Sequence, residues 1–236
     1  MRRATKTVFI VLSFRSRPTD AARRGPEASI RLLRPRVHGR GYGRGMPEPV
    51  SSGERTVVLV EGESDRRALA AASRRLGRDL ETAGAELVAM DGITNLRRHL
   101  AELDAMPRPP RVLGLYDIGE AATVSRMLAG SGRPRATSLV ELEGLGFYAC
   151  SLDLEDELIR AAGTAVIEDV LARHGDLARF RGFQRQPAQR DRPVAAQLRR
   201  FAGTASGRKT WFAADVVESM PLDRMPAPLI AVLERV

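Results

Sequence analysis

The stretch Thr56–Ala70, TVVLVEGESDRRALA, constrains the fold of this chain more than any other. Val57, Val58, Leu59 and Val60 form an unbroken apolar run, mostly β-branched, of the kind a strand needs when both its faces are buried. The run stops at Glu61-Gly62, and Glu63-Ser64-Asp65 open a helical pattern behind it. Leu69, Ala72 and Leu76 recur on one face of that helix, with Arg66, Arg67, Arg74, Arg75 and Arg78 largely off it. Glu61 thus stands at the carboxyl end of a buried strand, and Asp65 in the first helical turn. Open α/β sheets bind ligands at that edge, and two carboxylates there suit a divalent cation. The same residues also serve a plainer purpose: an acid at a helix N-terminus and a glutamate paired with a nearby arginine.

The alternation continues. Ala85–Met90 (AELVAM) reads as a second strand ending at Asp91-Gly92. Thr94–Ala105 reads as a helix capped by Thr94, with Leu96, Leu100 and Leu103 inward, and Pro107, Pro109 and Pro110 forbid its continuation. Arg111–Ile118 (RVLGLYDI) is the third strand, Gly119–Ala129 a short helix, SGRPRATS a loop, and Gly146–Ser151 (GFYACS) the fourth strand. Strands alternating with helices imply right-handed crossovers and a small parallel sheet covered on both faces, an α/β fold. After Ser151 the pattern turns all-helical, over Asp153–Ala162, Ala165–His174, Asp191–Ala202, Arg208–Met220 and Pro228–Val236. The expected organisation is a leader over 1–53, an α/β domain over 54–152, and a helical extension over 153–236 that completes the site.

Cysteine and charge narrow the chemistry. Cys150 is the single cysteine, which excludes an internal disulfide and a cysteine-rich zinc site and points to a reducing cytoplasm. The three histidines have no metal-ligand spacing, so any metal must sit on oxygen, which favours Mg²⁺, Mn²⁺ or Ca²⁺. The formal net charge of +9 belongs to residues 1–46, which hold 12 Lys/Arg against 2 Asp/Glu; the remainder is close to neutral. That leader is expected to be disordered, or to reflect a misassigned start with translation beginning at Met46. An organelle transit peptide and a nucleic-acid-binding arm are the other readings of its arginine-rich composition. Its apolar run Val8–Phe14 is too short to span a bilayer, and no membrane association is expected.

Within the body, charge is segregated. Residues 141–176 carry nine acids and two arginines; residues 179–209 carry nine Lys/Arg and one acid. A basic stretch beside an acidic one suits a phosphate backbone held next to a metal, with Arg185, Arg190, Arg192 and Arg208 as candidate nucleic-acid contacts. Basic helices covering an acidic edge of the same molecule would produce the same pattern. Phe180, Phe183, Phe201, Trp211 and Phe212 interleave the basic stretch and are expected to pack the core. Asp117 follows its strand directly, as Glu61 does, so the two face each other across neighbouring strand ends. In the cluster Asp153–Glu157, Asp153 is placed to cap a helix, Glu155 borders the buried face, and Asp156 and Glu157 read as solvated. Asp91 also ends a strand but has no acidic companion. Lys209 is the only lysine of the body, where arginine otherwise replaces it.

Taken in order, VVLVEGESDRRAL, LGLYDIGEA and SLDLEDELI, followed by a late Gly-Arg-Lys, resemble the TOPRIM domain of topoisomerases, primases and certain nucleases. The order of motifs resembles most closely the TOPRIM portion of OLD-family (overcoming lysogenization defect) endonucleases, over about residues 55–236. The resemblance implies a TOPRIM-type sheet and a Mg²⁺- or Mn²⁺-dependent endonuclease acting on DNA or RNA, with a homodimer or a separate ATPase as partner. It matches Glu61 and Asp65 to the first motif, Asp117 to the first aspartate of an Asp-x-Asp, Glu155 to the third acidic motif and Lys209 to the late catalytic lysine. Glu61 and Lys209 are then the catalytic candidates, and Glu61, Asp65, Asp117 and Glu155 the metal ligands. The second aspartate falls at Gly119, which has no side chain; Glu120 beside it is the substitute candidate. That departure leaves two alternatives: a catalytically degenerate binding module in DNA repair or phage defence, and a primase-like nucleotidyl-transferring enzyme. Gly203–Thr210 imitates a phosphate-binding loop, but Arg208 replaces its second glycine and a helix precedes it, so nucleotide binding there is rejected.

Overall fold

A computed structural model describes residues 55–236; the leader expectation falls on residues outside that range. The four apolar runs form strands β1 (Thr56–Val60), β2 (Ala85–Ala89), β3 (Arg111–Asp117) and β4 (Phe147–Cys150). They make one all-parallel sheet in the order β2-β1-β3-β4. Leu59 pairs with Val88 on one side and Gly114 on the other, and Asp117 pairs with Cys150. The first and third strands are therefore neighbours at the centre, and their carboxyl ends lie side by side.

Every other residue of a strand faces the same layer, and the two layers are distinct. Val58, Val60, Leu113, Leu115, Tyr148 and Cys150 belong to one core cluster. Helices α1 (Glu63–Arg75), α5 (Leu154–Ala162), α6 (Thr164–Arg173), α8 (Val194–Ala202), α9 (Ser206–Ser219) and α10 (Ala227–Glu234) supply most of the rest of it. Val57, Leu59, Tyr116 and Phe147 face the second cluster, covered by α2 (Leu96–Asp104), α3 (Ala121–Gly130) and α4 (Leu139–Gly144). The C-terminal helices thus share a core with the sheet. Arg75 of α1 fastens α9 by donating to the carbonyls of Val217 and Met220, which the end of α9 leaves without intrahelical donors.

Gly114 is required by packing, because a Cβ there would stand 2.4 Å from the Phe147 ring on the neighbouring strand. Some local expectations are corrected. Thr94 lies within a 3-10 turn, Ile93–Asn95, and does not cap α2; Asn95 does so by position and binds the Met90 and Asp91 carbonyls. The helix after β3 starts with a 3-10 turn, Ile118–Glu120. Helix α4 and helix α7 (Leu177–Gln184) were not expected. Two turns are too few to show a period in α4, and α7 buries fully only Phe180. Among the described residues no helix is long and apolar enough to cross a membrane.

Candidate metal centre

The carboxyl edge of the sheet opens into a cleft of about 390 Å³ whose lining includes Glu61, Ser64, Asp65, Asp117, Asp153 and Glu155. Three separate segments deliver these side chains, the first of them the continuous run from β1 into α1. The end of β1 brings Glu61, the first turn of α1 brings Asp65, the end of β3 brings Asp117, and the turn from β4 into α5 brings Asp153 and Glu155. Because β1, β3 and β4 are consecutive in the sheet, their ends converge there without any unusual loop.

Each acid has a different local role. Asp65 accepts a hydrogen bond from the Gly62 N–H at 2.9 Å, so it caps its own helix while facing the cleft. Asp153 caps α5 through Oδ1, which accepts the Asp156 N–H at 2.8 Å, while its Oδ2 accepts two bonds from the Arg199 guanidinium. Glu63, on the rim, is engaged by Arg66 and Arg67, which hold its carboxyl down to about 2. Contrary to expectation, Asp156 and Glu157 are not solvated: their side chains are 19% and 14% exposed, and both pair with Arg160.

Two carboxyls of the cleft are strained electrostatically. Burial, and then the charges of Glu155, Asp117 and Glu61, push Asp65 up to about 7 against the opposing Gly62 hydrogen bond. Asp117 is pushed up to about 7 by burial and by Glu61, Asp153 and Glu155, with Arg199 pulling the other way. Hard oxygen donors that repel one another in a half-buried cleft fit a divalent cation, which would relieve that repulsion. Among the described residues no three His, Cys, Asp or Glu side chains already stand as a coordination group, so a cation would have to draw these donors inward.

The other expected site residues are dispersed. Glu120 is half-buried in the 3-10 turn and does not line the cleft. Gly119 is exposed and faces open space, with nothing within 4 Å of a Cβ placed there. Lys209 falls in α9, and its side chain lies outside the described residues. Arg185, Arg190 and Arg192 are exposed between α7 and α8. Arg208 is corrected: it is 5% exposed, bonded to Asp176, the Phe201 carbonyl and Thr204, and stacked 3.7 Å above the Phe201 ring. Its guanidinium is consumed inside the fold. Arg199 was not anticipated, since nothing in the sequence ties it to an aspartate 46 residues away.

A parallel sheet in this order, with acids at the ends of adjacent strands and in the following helical turn, defines an open α/β domain with an acidic cleft at its carboxyl edge. Residues 54–117 match the family model of the overcoming lysogenization defect protein-like TOPRIM domain. Over those residues the chain is similar to the OLD-like TOPRIM domain, and its fold is that of the C-terminal region of OLD proteins. The C-terminal region of the Burkholderia pseudomallei OLD protein aligns with a TM-score of 0.57 at 19% identity, covering 77% of this chain and 96% of that one. The corresponding region of the Xanthomonas campestris pv. campestris OLD protein gives 0.55 at 22% identity, covering 78% and 95%. A comparison with curated proteins gives no match.

Proposed function

We propose that this protein hydrolyses phosphodiester bonds of DNA with Mg²⁺ or Mn²⁺. The observation that carries the reading is the convergence of carboxylates from three segments on one cleft at the carboxyl edge of the sheet. Glu61, Asp65, Asp117 and Glu155 would hold the ion. When bound, it supplies a Lewis acid that polarises the phosphodiester and lowers the pKa of a water. Asp65 is held in place by the Gly62 N–H, and Asp153 by its cap and by Arg199, so these carboxylates arrive oriented. Glu61 orients the attacking water, and Lys209 neutralises the charge that builds on the phosphorus oxygens.

Supercoiled plasmid incubated with the protein and Mg²⁺ or Mn²⁺ tests this reading. Wild type should nick, and Asp117→Asn should reduce nicking by two or more orders of magnitude. Wild-type inactivity, or undiminished nicking by Asp117→Asn, refutes it. One observation favours a second reading, a TOPRIM module that binds without cleaving: Gly119 offers no ligand where an acid would extend the site. Metal binding without nicking would select that reading.

A further inference from the structure

A second cavity, of about 320 Å³, shares a wall with the acidic cleft. Asp153 and Glu155 form the common wall, while Arg199, Arg200, Phe183 and Thr204 line the rest. The two arginines end α8, where cations commonly complement a helix dipole. Arg199 does not turn to its own helix, however, and donates from Nε and Nη2 to Asp153 Oδ2. With Oδ1 already capping α5, Asp153 presents a neutralised face to this cavity. Arg200 is exposed and makes no ion pair with a described residue. The half-buried Phe183 ring is backed by Phe201, centroids 5.4 Å apart, so it is held from behind.

We propose that this cavity is a nucleotide subsite contiguous with the metal centre. Arg200 takes the phosphate next to the reacting one, Arg199 offsets the Asp153 carboxylate behind it, and Phe183 stacks the base of an unpaired strand. The inference rests on the phosphodiester reading above and adds the substrate class, a single-stranded segment. A polyanion entering a cleft of carboxylates needs a cation at its border, and Arg200 lines the cavity that adjoins the cleft across Asp153 and Glu155. A stacking platform favours unpaired bases, whose faces are open, over those within a duplex.

The test is fluorescence anisotropy of a short labelled single-stranded oligonucleotide with the full chain in EDTA, over a salt series. It is paired with calorimetry of Mg²⁺ binding. Arg200→Ala should weaken binding about tenfold at low salt and flatten the salt slope by about 1. Phe183→Leu, which keeps an apolar contact with Phe201, should weaken binding about tenfold without changing the slope. Both variants should bind Mg²⁺ as wild type does. Wild-type affinity for the oligonucleotide in both variants, or no binding by wild type, overturns the subsite. Plasmid nicking lost in Asp117→Asn would leave the hydrolytic reading standing in that case. Arg200-dependent binding without nicking would defeat hydrolysis and keep the subsite.

Discussion

Asp65→Asn should stabilise the metal-free protein while abolishing its response to Mg²⁺. The carboxyl of Asp65 is raised from 3.8 to about 7 by burial and by the neighbouring charges of Glu155, Asp117 and Glu61. A folded-state value above the unfolded one makes the ionised carboxylate a burden on the fold. The penalty is fully present above the folded value and fades as pH falls through about 7 toward the unfolded value. A displacement of roughly 3 units corresponds to a ceiling of about 4 kcal/mol. Water reaches this half-buried cleft, and Asp117 carries part of the same repulsion, so about 1–2 kcal/mol is expected at about pH 8. For a domain of this size that is a rise of about 3–6 °C in Tm. Asparagine keeps an oxygen to accept the Gly62 N–H, so the helix cap survives. Thermal denaturation in EDTA from about pH 5 to about pH 8 should show wild type gaining stability as pH falls, with the advantage of Asp65→Asn shrinking in parallel. With Mg²⁺ in excess the order should reverse, since only wild type gains from a bound ion. A variant less stable than wild type at about pH 8 in EDTA, or an advantage independent of pH, would refute the electrostatic account of the cleft.

Three other outcomes follow from particular contacts. Gly114→Ala should cost about 1–3 kcal/mol in urea unfolding, because the added methyl collides with the Phe147 ring inside the sheet. Arg208→Ala should cost about 3 kcal/mol by leaving the buried Asp176, whose carboxyl is raised by burial but held below its ordinary range overall by hydrogen bonds from Arg208 and Arg179, with only the more exposed Arg179 as ion-pair partner. Loss of DNA binding in that variant should therefore track unfolding by circular dichroism; a folded variant defective only in binding would contradict the buried assignment. Gly119→Asp should change stability by less than about 0.5 kcal/mol, since the position is open, and should raise Mg²⁺ affinity in calorimetry. Unchanged affinity would mean that this position does not face the ion.

The sequence by itself determined the sheet and most of the acidic site. An apolar run four or five residues long, ending in an acid and followed by a helical period, specifies both a buried strand and the edge at which its last residue emerges. Glu61, Asp65, Asp117 and Glu155 could be placed on that edge because each lies next to such a boundary in the chain. The shorter helices are not legible in the sequence, because two turns carry too few residues to establish a period and α7 buries little. Tertiary structure alone decided the fate of the arginines. Arg199 meets Asp153 across 46 residues of chain, Arg208 disappears beneath the surface onto Asp176, and Arg200 stays exposed beside them. A guanidinium sits at the end of a long flexible stem, so its partner is set by which helix packs nearby, a long-range property that no local spacing encodes. The raised carboxyls of Asp65 and Asp117 are equally products of folding, since their repulsion begins only when separate strand ends are brought to one cleft.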